Sequence, residues 1–256
     1  MFRFRPFPTL LHPRGRPLHS PVPVLDYRWS RQKLYGMNIK NREIIMKVIG
    51  FNGSPRKKGN TYGAMATVFG ELEKQGIDTE MVRVGNEKIH GCRACYACLK
   101  NQNEACVFDD DPVNEWVQKI KSADGILLGS PVHFSGVAGT MKSFLDRAFF
   151  VSSVNGNLFR HKVGASVAAV RRSGGLPTVN ALNHYIVYSE MIMPGSNYWN
   201  VAHGANPGEM EQDEEGKQIM TVLGRNMAWI MKSMAAAKDQ VPAPEPVTKT
   251  LTNFIR

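Results

Sequence analysis

Cys92, Cys95, Cys98 and Cys106 are the only cysteines among 256 residues, and their spacing is C-x2-C-x2-C-x7-C. Three thiols along one tight loop, with a fourth a short reach beyond, can converge on a single soft metal centre. Four thiolates are what a cubane 4Fe–4S cluster takes. In ferredoxins with two clusters the fourth cysteine serves the other cluster and a proline follows it. Here Val107 follows Cys106 and no second set exists. One cluster ligated by all four is therefore the simplest iron–sulfur arrangement. Zinc is an alternative, although structural zinc more often takes two separated C-x2-C pairs. Free thiols, a redox pair or a disulfide stay open as well. Asp109–Asp111, just behind the knot, suit the first turn of a following helix.

Three further segments carry groups that could hold an anion or a flat ring. The first is Gly53-Ser54-Pro55-Arg56-Lys57-Lys58-Gly59-Asn60-Thr61. A small, hydroxyl-rich loop running into a helix presents backbone N–H groups to an anion. Ser54, Asn60 and Thr61 add side-chain donors, Arg56 adds charge and Gly59 adds freedom. The set suits a terminal phosphate. It is neither a Walker loop nor a G-x-G-x-x-G turn. The plainer alternative is a capped helix start with Asn60 as N-cap. The second segment is Ser130-Pro131-Val132-His133-Phe134-Ser135-Gly136. Its rigid proline, free backbone and two flat rings could hold an isoalloxazine. His133 is expected to contact that ring rather than to act as an acid or base, because hydride transfer to a flavin needs no protein base. The third segment is Arg171-Arg172-Ser173-Gly174-Gly175. Arg171 and Gly174 could approach a cofactor carbonyl or a nicotinamide-cofactor phosphate, or the segment could be a solvated turn.

Regular elements must bring these segments together. Short apolar runs alternate with helical periods from Met46 onward. Strands are expected at 48–52, 79–84, 125–129, 163–170 and 191–193. Helices are expected at 61–75, from 113, at 139–149, 179–189 and 216–238. Apolar strands separated by helices imply a parallel sheet covered on both faces. The fold class is thus α/β, a doubly wound five-stranded parallel sheet in the order 2-1-3-4-5. Its ligand crevice lies at the carboxyl ends of strands 1 and 3, where the winding reverses.

The chain carries 43% hydrophobic and 21% charged residues, ordinary for a globular protein. Its net charge of +10 sits mostly at the amino end, where residues 1–45 hold nine Lys or Arg and two acids. No basic stripe with interleaved aromatics remains in the rest, so nucleic acid is not an expected partner. No apolar run is long enough to cross a bilayer. Clustered cysteines fit a reducing, cytoplasmic setting. Six of the 15 prolines also fall within 1–45, which shows no apolar period. That stretch is expected to be a mistranslated leader, a disordered arm or a targeting segment, with Met46 or Met37 as the natural start. The expected domain spans 46–238, followed by a tail at 239–256.

Three motifs together resemble the iron–sulfur flavoproteins, a branch of the flavodoxin-like NAD(P)H-dependent FMN reductases. They are MKVIGFNGSPRKKGNT, SPVHFSG and GCRACYACLKNQNEACVFDDD. The resemblance covers residues 46 to about 238. It implies a flavodoxin-like fold, one FMN per subunit, and homodimers or homotetramers whose sites are completed across subunits. It implies a phosphate loop at Ser54, Arg56, Asn60 and Thr61, and an isoalloxazine loop at Pro131–Gly136. The family loop often has Tyr where this chain has His133. The segment Gly195–Asn200 with the acidic loop Glu209–Glu215 resembles cluster-free reductases equally well.

The expected function is an FMN-dependent oxidoreductase. Electrons would come from reduced nicotinamide, NAD(P)H, or a ferredoxin-type donor, and would pass through FMN and a 4Fe–4S cluster to a small acceptor. A cluster-free FMN or quinone reductase and a pure electron carrier are the alternatives. The segments Val151–Arg160 and Asn197–Glu215, expected to form lid-like loops, speak against a carrier.

Overall fold

A computed structural model describes residues 46–252 and 254. The leader, arm or targeting segment expected at 1–45 lies outside the described residues.

Five strands run parallel in one sheet: β1 (Lys47–Asn52), β2 (Asp78–Arg83), β3 (Gly125–His133), β5 (Val163–Val170) and β6 (Val201–His203). Their order is β2-β1-β3-β5-β6, and a two-residue strand β4 (Gly136–Val137) folds back antiparallel on β3. Counting the parallel strands alone, the order is the expected 2-1-3-4-5, the doubly wound flavodoxin-like arrangement.

Alternation along each strand feeds two separate cores. Ile49, Phe51, Ile126 and Leu128 face helices α3 (Val113–Ser122), α4 (Gly139–Val154) and α5 (Gly175–Tyr188), packing with Trp116, Phe144 and Ile186. The Phe144 ring lies 4.8 Å from Phe51 and 5.1 Å from Trp116, centroid to centroid. Val48, Leu127, Ala165 and Val167 face α1 (Asn60–Glu73) and α6 (Glu214–Ala237), packing with Met65, Leu72, Leu223 and Met227. With both faces covered, β1, β3 and β5 read in sequence as continuous apolar runs.

Two elements depart from expectation. The fifth strand was expected at 191–193, but only Ile192 bridges there, to Val163 at the start of β5. The chain leaves the sheet at Pro194 and returns seven residues later as β6, against Ala168–Val170. The apolar Met191–Met193 run marks the same edge but the wrong end of it. Segment 151–160 is no lid either. Residues 151–154 finish α4, and the turn after them leads into β5 at the amino edge, away from the crevice. Sequence patterning also missed a short helix α2 (Ala97–Asn101), which carries Cys98. Beyond α6, residues 239–252 form no helix or strand, and Arg160 donates to the Pro244 carbonyl at 2.9 Å.

Candidate functional site

Parallel strands deliver their following loops to one edge, so the loops after β1, β3, β5 and β6 meet. They enclose a crevice of about 350 Å3, lined by Ser54, Arg56, Asn60, Thr61, Pro131, Val132, His133 and Arg171, together with Pro55, Ala169, Gly204 and Ala205.

The β1 end of the crevice is built from donors. Ser54, Asn60 and Thr61 are buried against it. The Ser54 backbone N–H is tied to Asn52 Oδ1 at 2.9 Å, and the Arg56 N–H donates to Ser54 Oγ at 3.2 Å. Gly59, not Asn60, is the N-cap residue of α1, and it has no side-chain cap. Asn60 instead uses Oδ1 to accept from Met210 N at 3.2 Å. The first helical N–H groups have no partner within the helix, and no acid stands in the first turn to satisfy the positive end. Backbone amides, two hydroxyls, an amide and a guanidinium therefore face one place, a set suited to a phosphate. Gly204 makes this possible. A Cβ there would sit 2.6 Å from Asn60 Nδ2.

At the β3 end, Pro131, Val132 and His133 form a wall. His133 then pairs with Gly136, and the connecting turn is Phe134–Ser135. Both turn residues have positive φ, +47° and +60°. That is the conformation of a type I′ hairpin, normally left to Asn and Gly. A fully exposed phenylalanine and a serine held there are strained. Phe134 and Gly136 thus shape the turn without lining the crevice. Gly59 sits behind the β1 loop, packed toward Arg56 and Ser54. Gly174, at φ +90°, has no room for a Cβ beside Ser135 and Val132. It lines a neighbouring pocket of about 260 Å3 with Arg172, Tyr198, Trp199 and His203. Gly204 and Ala205 were not anticipated. They follow the strand whose position was misjudged, and correct placement of β6 would have put them on the ligand edge.

The four cysteines meet at a second place. All of them line one small cavity of about 20 Å3, with Arg93, Tyr96, Phe108, Arg147, Phe150 and Val151. Cys98 is buried, Cys106 partly so, and Cys92 and Cys95 are exposed. Burial pushes the Cys98 thiol above its ordinary range. The loop is coiled tightly, with Ala94, Tyr96, Gln102 and Glu104 all at positive φ.

Amide side chains fasten this loop to the helices beneath it. Asn114 on α3 accepts from Cys106 N at 2.7 Å and donates back to its carbonyl at 2.9 Å. Asn155, after α4, accepts from Glu104 N at 3.0 Å. Asp111 accepts from Val113 N at 3.1 Å and also pairs with buried Arg147, but it stands before the N-cap Pro112, and the acid in the first turn is Glu115. Arg147 donates in addition to the Phe108 carbonyl at 2.8 Å. Burial alone would lower the Arg147 guanidinium, but Asp111 and the neighbouring Cys106 sulfur reverse this and hold it above its ordinary value.

Among the described residues, one set of three or more His, Cys, Asp or Glu ligand atoms lies mutually within 4.8 Å: His90, Asp110 and Asp111. The thiols share a cavity but are spread wider than that.

A doubly wound sheet with a donor-lined crevice at its switch point defines a mononucleotide-binding α/β protein. Residues 46–206 match the family model described as NADPH-dependent FMN reductase. An iron–sulfur flavoprotein of Methanocaldococcus jannaschii is 34% identical over 194 residues, covering 73% of this chain and 98% of the relative. One from Methanosarcina thermophila is 31% identical over 186 residues, covering 70% and 95%. Among solved structures, RosB with a bound formylriboflavin phosphate intermediate superposes with a TM-score of 0.58 at 15% identity, covering 82% of this chain and 94% of that one. The NAD(P)H:quinone oxidoreductase of Methanothermobacter marburgensis gives 0.52 at 16%, covering 72% and 97%. The chain belongs to the NADPH-dependent FMN reductase family and, within it, to the iron–sulfur flavoproteins. It is a flavin-dependent oxidoreductase that uses FMN. Among the described residues no helix is long and apolar enough to cross a membrane.

Proposed function

We propose that this oxidoreductase takes electrons from NAD(P)H or a ferredoxin-type donor and delivers them to a small acceptor such as a quinone, free flavin or nitroaromatic. We further propose that a 4Fe–4S cluster on Cys92, Cys95, Cys98 and Cys106 takes part. The observation that carries the proposal is the convergence of all four cysteines on one small cavity. The names of the related iron–sulfur flavoproteins support it.

When bound, FMN accepts electrons in pairs and releases them singly, and the cluster stores one electron. The residues do the rest. Ser54, Asn60, Thr61 and Arg56 hold the phosphate by charge-assisted hydrogen bonds. Pro131–His133 bracket the ring. Arg171 and the pocket beside Gly174 leave room for a nicotinamide or an acceptor, which a pure carrier would not need. No side chain acts as an acid or base. The working unit is a homodimer or homotetramer in the cytoplasm.

The test is an Asn60→Asp/Thr61→Val variant assayed for bound flavin and for steady-state NAD(P)H oxidation. Loss of FMN with the fold intact is expected. Unchanged FMN occupancy would contradict the phosphate loop. A flavin-replete wild type that oxidises neither NADH nor NADPH would leave the ferredoxin-type donor or the carrier reading.

A further inference from the structure

We propose that Arg147 tunes the reduction potential of the centre held by the four cysteines, with Asp111 as its counterweight. This rests on the cluster reading above.

Arg147 comes from α4, 41 residues beyond the last cysteine, and its side chain is only 1% exposed. It lines the same small cavity as Cys92, Cys95, Cys98 and Cys106. A buried guanidinium costs free energy unless all its donors are used. Here Nη1 meets Asp111 and Nη2 meets the Phe108 carbonyl, but buried Nε has no partner among the described residues. An apolar residue at this position would leave Asp111, which is buried as well, without its partner. A cation with one unused donor at the wall of a four-thiolate cavity gains its partner when the cavity holds an anion.

Four thiolates outweigh the positive charge of a four-iron core, so the centre is anionic and each electron makes it more so. In a low-dielectric site a fixed positive charge favours the reduced form. A hydrogen bond from Nε to a sulfur acts in the same direction, since charge and hydrogen bonds to sulfur set such potentials. Asp111 opposes both by neutralising the guanidinium. Reduction adds one electron from the external reductant, and no bond is made or broken.

The experiment compares wild type, Arg147→Gln, Arg147→Lys and Asp111→Asn, all purified without oxygen. Iron and acid-labile sulfide are assayed first. The potential is then read by dithionite titration followed by electron paramagnetic resonance. Arg147→Gln is expected to disfavour reduction by about tenfold, a downward shift of about 59 mV for one electron. Arg147→Lys should restore most of it. Asp111→Asn, which keeps the shape and leaves the guanidinium unneutralised, should shift the potential upward. A purely structural role would not give opposite signs. Equal potentials, or shifts in one direction, overturn the proposal. If Arg147→Gln cannot hold the centre, the sign for Asp111→Asn decides. Loss of the centre from all three variants, with wild type replete, also overturns it in favour of a structural role. Wild type without iron and sulfide would instead remove the cluster reading itself.

Discussion

Arg56 donates from Nη1 to the carbonyl of Ala205, 3.1 Å away, and so joins the loop after β1 to the loop after β6. The two loops are 149 residues apart in sequence, and between them they close the β1 end of the crevice. The guanidinium keeps its other donors for a ligand.

Arg56→Ala is accordingly expected to weaken FMN binding by about tenfold. A charge-assisted hydrogen bond contributes about 1.5–3 kcal/mol, and exposure of the loop places Arg56 at the low end. Flavin fluorescence titration of the apoprotein measures this. Unfolding of the apoprotein should change by no more than about 0.5 kcal/mol, as for other surface substitutions.

Cys98→Ala should remove iron and sulfide while leaving FMN at wild-type occupancy. The cysteine cavity and the crevice proposed for the flavin share no lining residue. Metal and flavin analysis of one preparation checks both halves. Flavin lost together with iron would show the two sites to be coupled.

Ser135→Gly should raise thermal stability. Ser135 sits at φ +60° in the two-residue turn between β3 and β4. Glycine adopts that region freely, whereas other residues lose about 1–2 kcal/mol there. Part of the gain is offset by the greater freedom of glycine in the unfolded chain. A rise of about 2 °C in Tm is expected for a domain of this size.

Glu71 provides a pH-dependent contribution. Hydrogen bonds from Lys74 at 2.6 Å and Arg225 at 2.8 Å hold its carboxyl below the usual value of 4.5. A depressed carboxylate stabilises the fold fully above its unfolded pKa, and the contribution is lost as pH falls through the folded pKa. Glu71→Gln should therefore destabilise the protein by about 1 kcal/mol at neutral pH. The difference from wild type should shrink as pH drops below 4.5. Urea midpoints across that range measure it. A constant difference would assign the loss to packing between α1 and α6.

How much of this was legible depends on how local each signal is. β1, β3 and β5 are buried on both faces, so their apolar runs stand out. Ser54, Asn60 and Thr61 follow such a strand directly, and their place at the β1 end of the crevice could be read from type and position. β6 could not be found this way. With three residues and one of them buried, Val201–His203 carries less pattern than Met191–Met193 upstream. Gly204 and Ala205 were lost with it. That the four cysteines share one cavity could be read from their spacing alone. Arg147 was not legible, because in sequence it is one cation on a helix, and only folding sets it against Asp111, 36 positions away.

The most direct test of the account is an ultraviolet–visible spectrum of protein purified without oxygen, with iron and acid-labile sulfide measured on the same sample. The account predicts flavin bands over a broad iron–sulfur shoulder, with about four irons and four sulfides per chain, as one cubane cluster requires. Flavin bands without iron or sulfide would contradict the cluster and leave a plain FMN reductase.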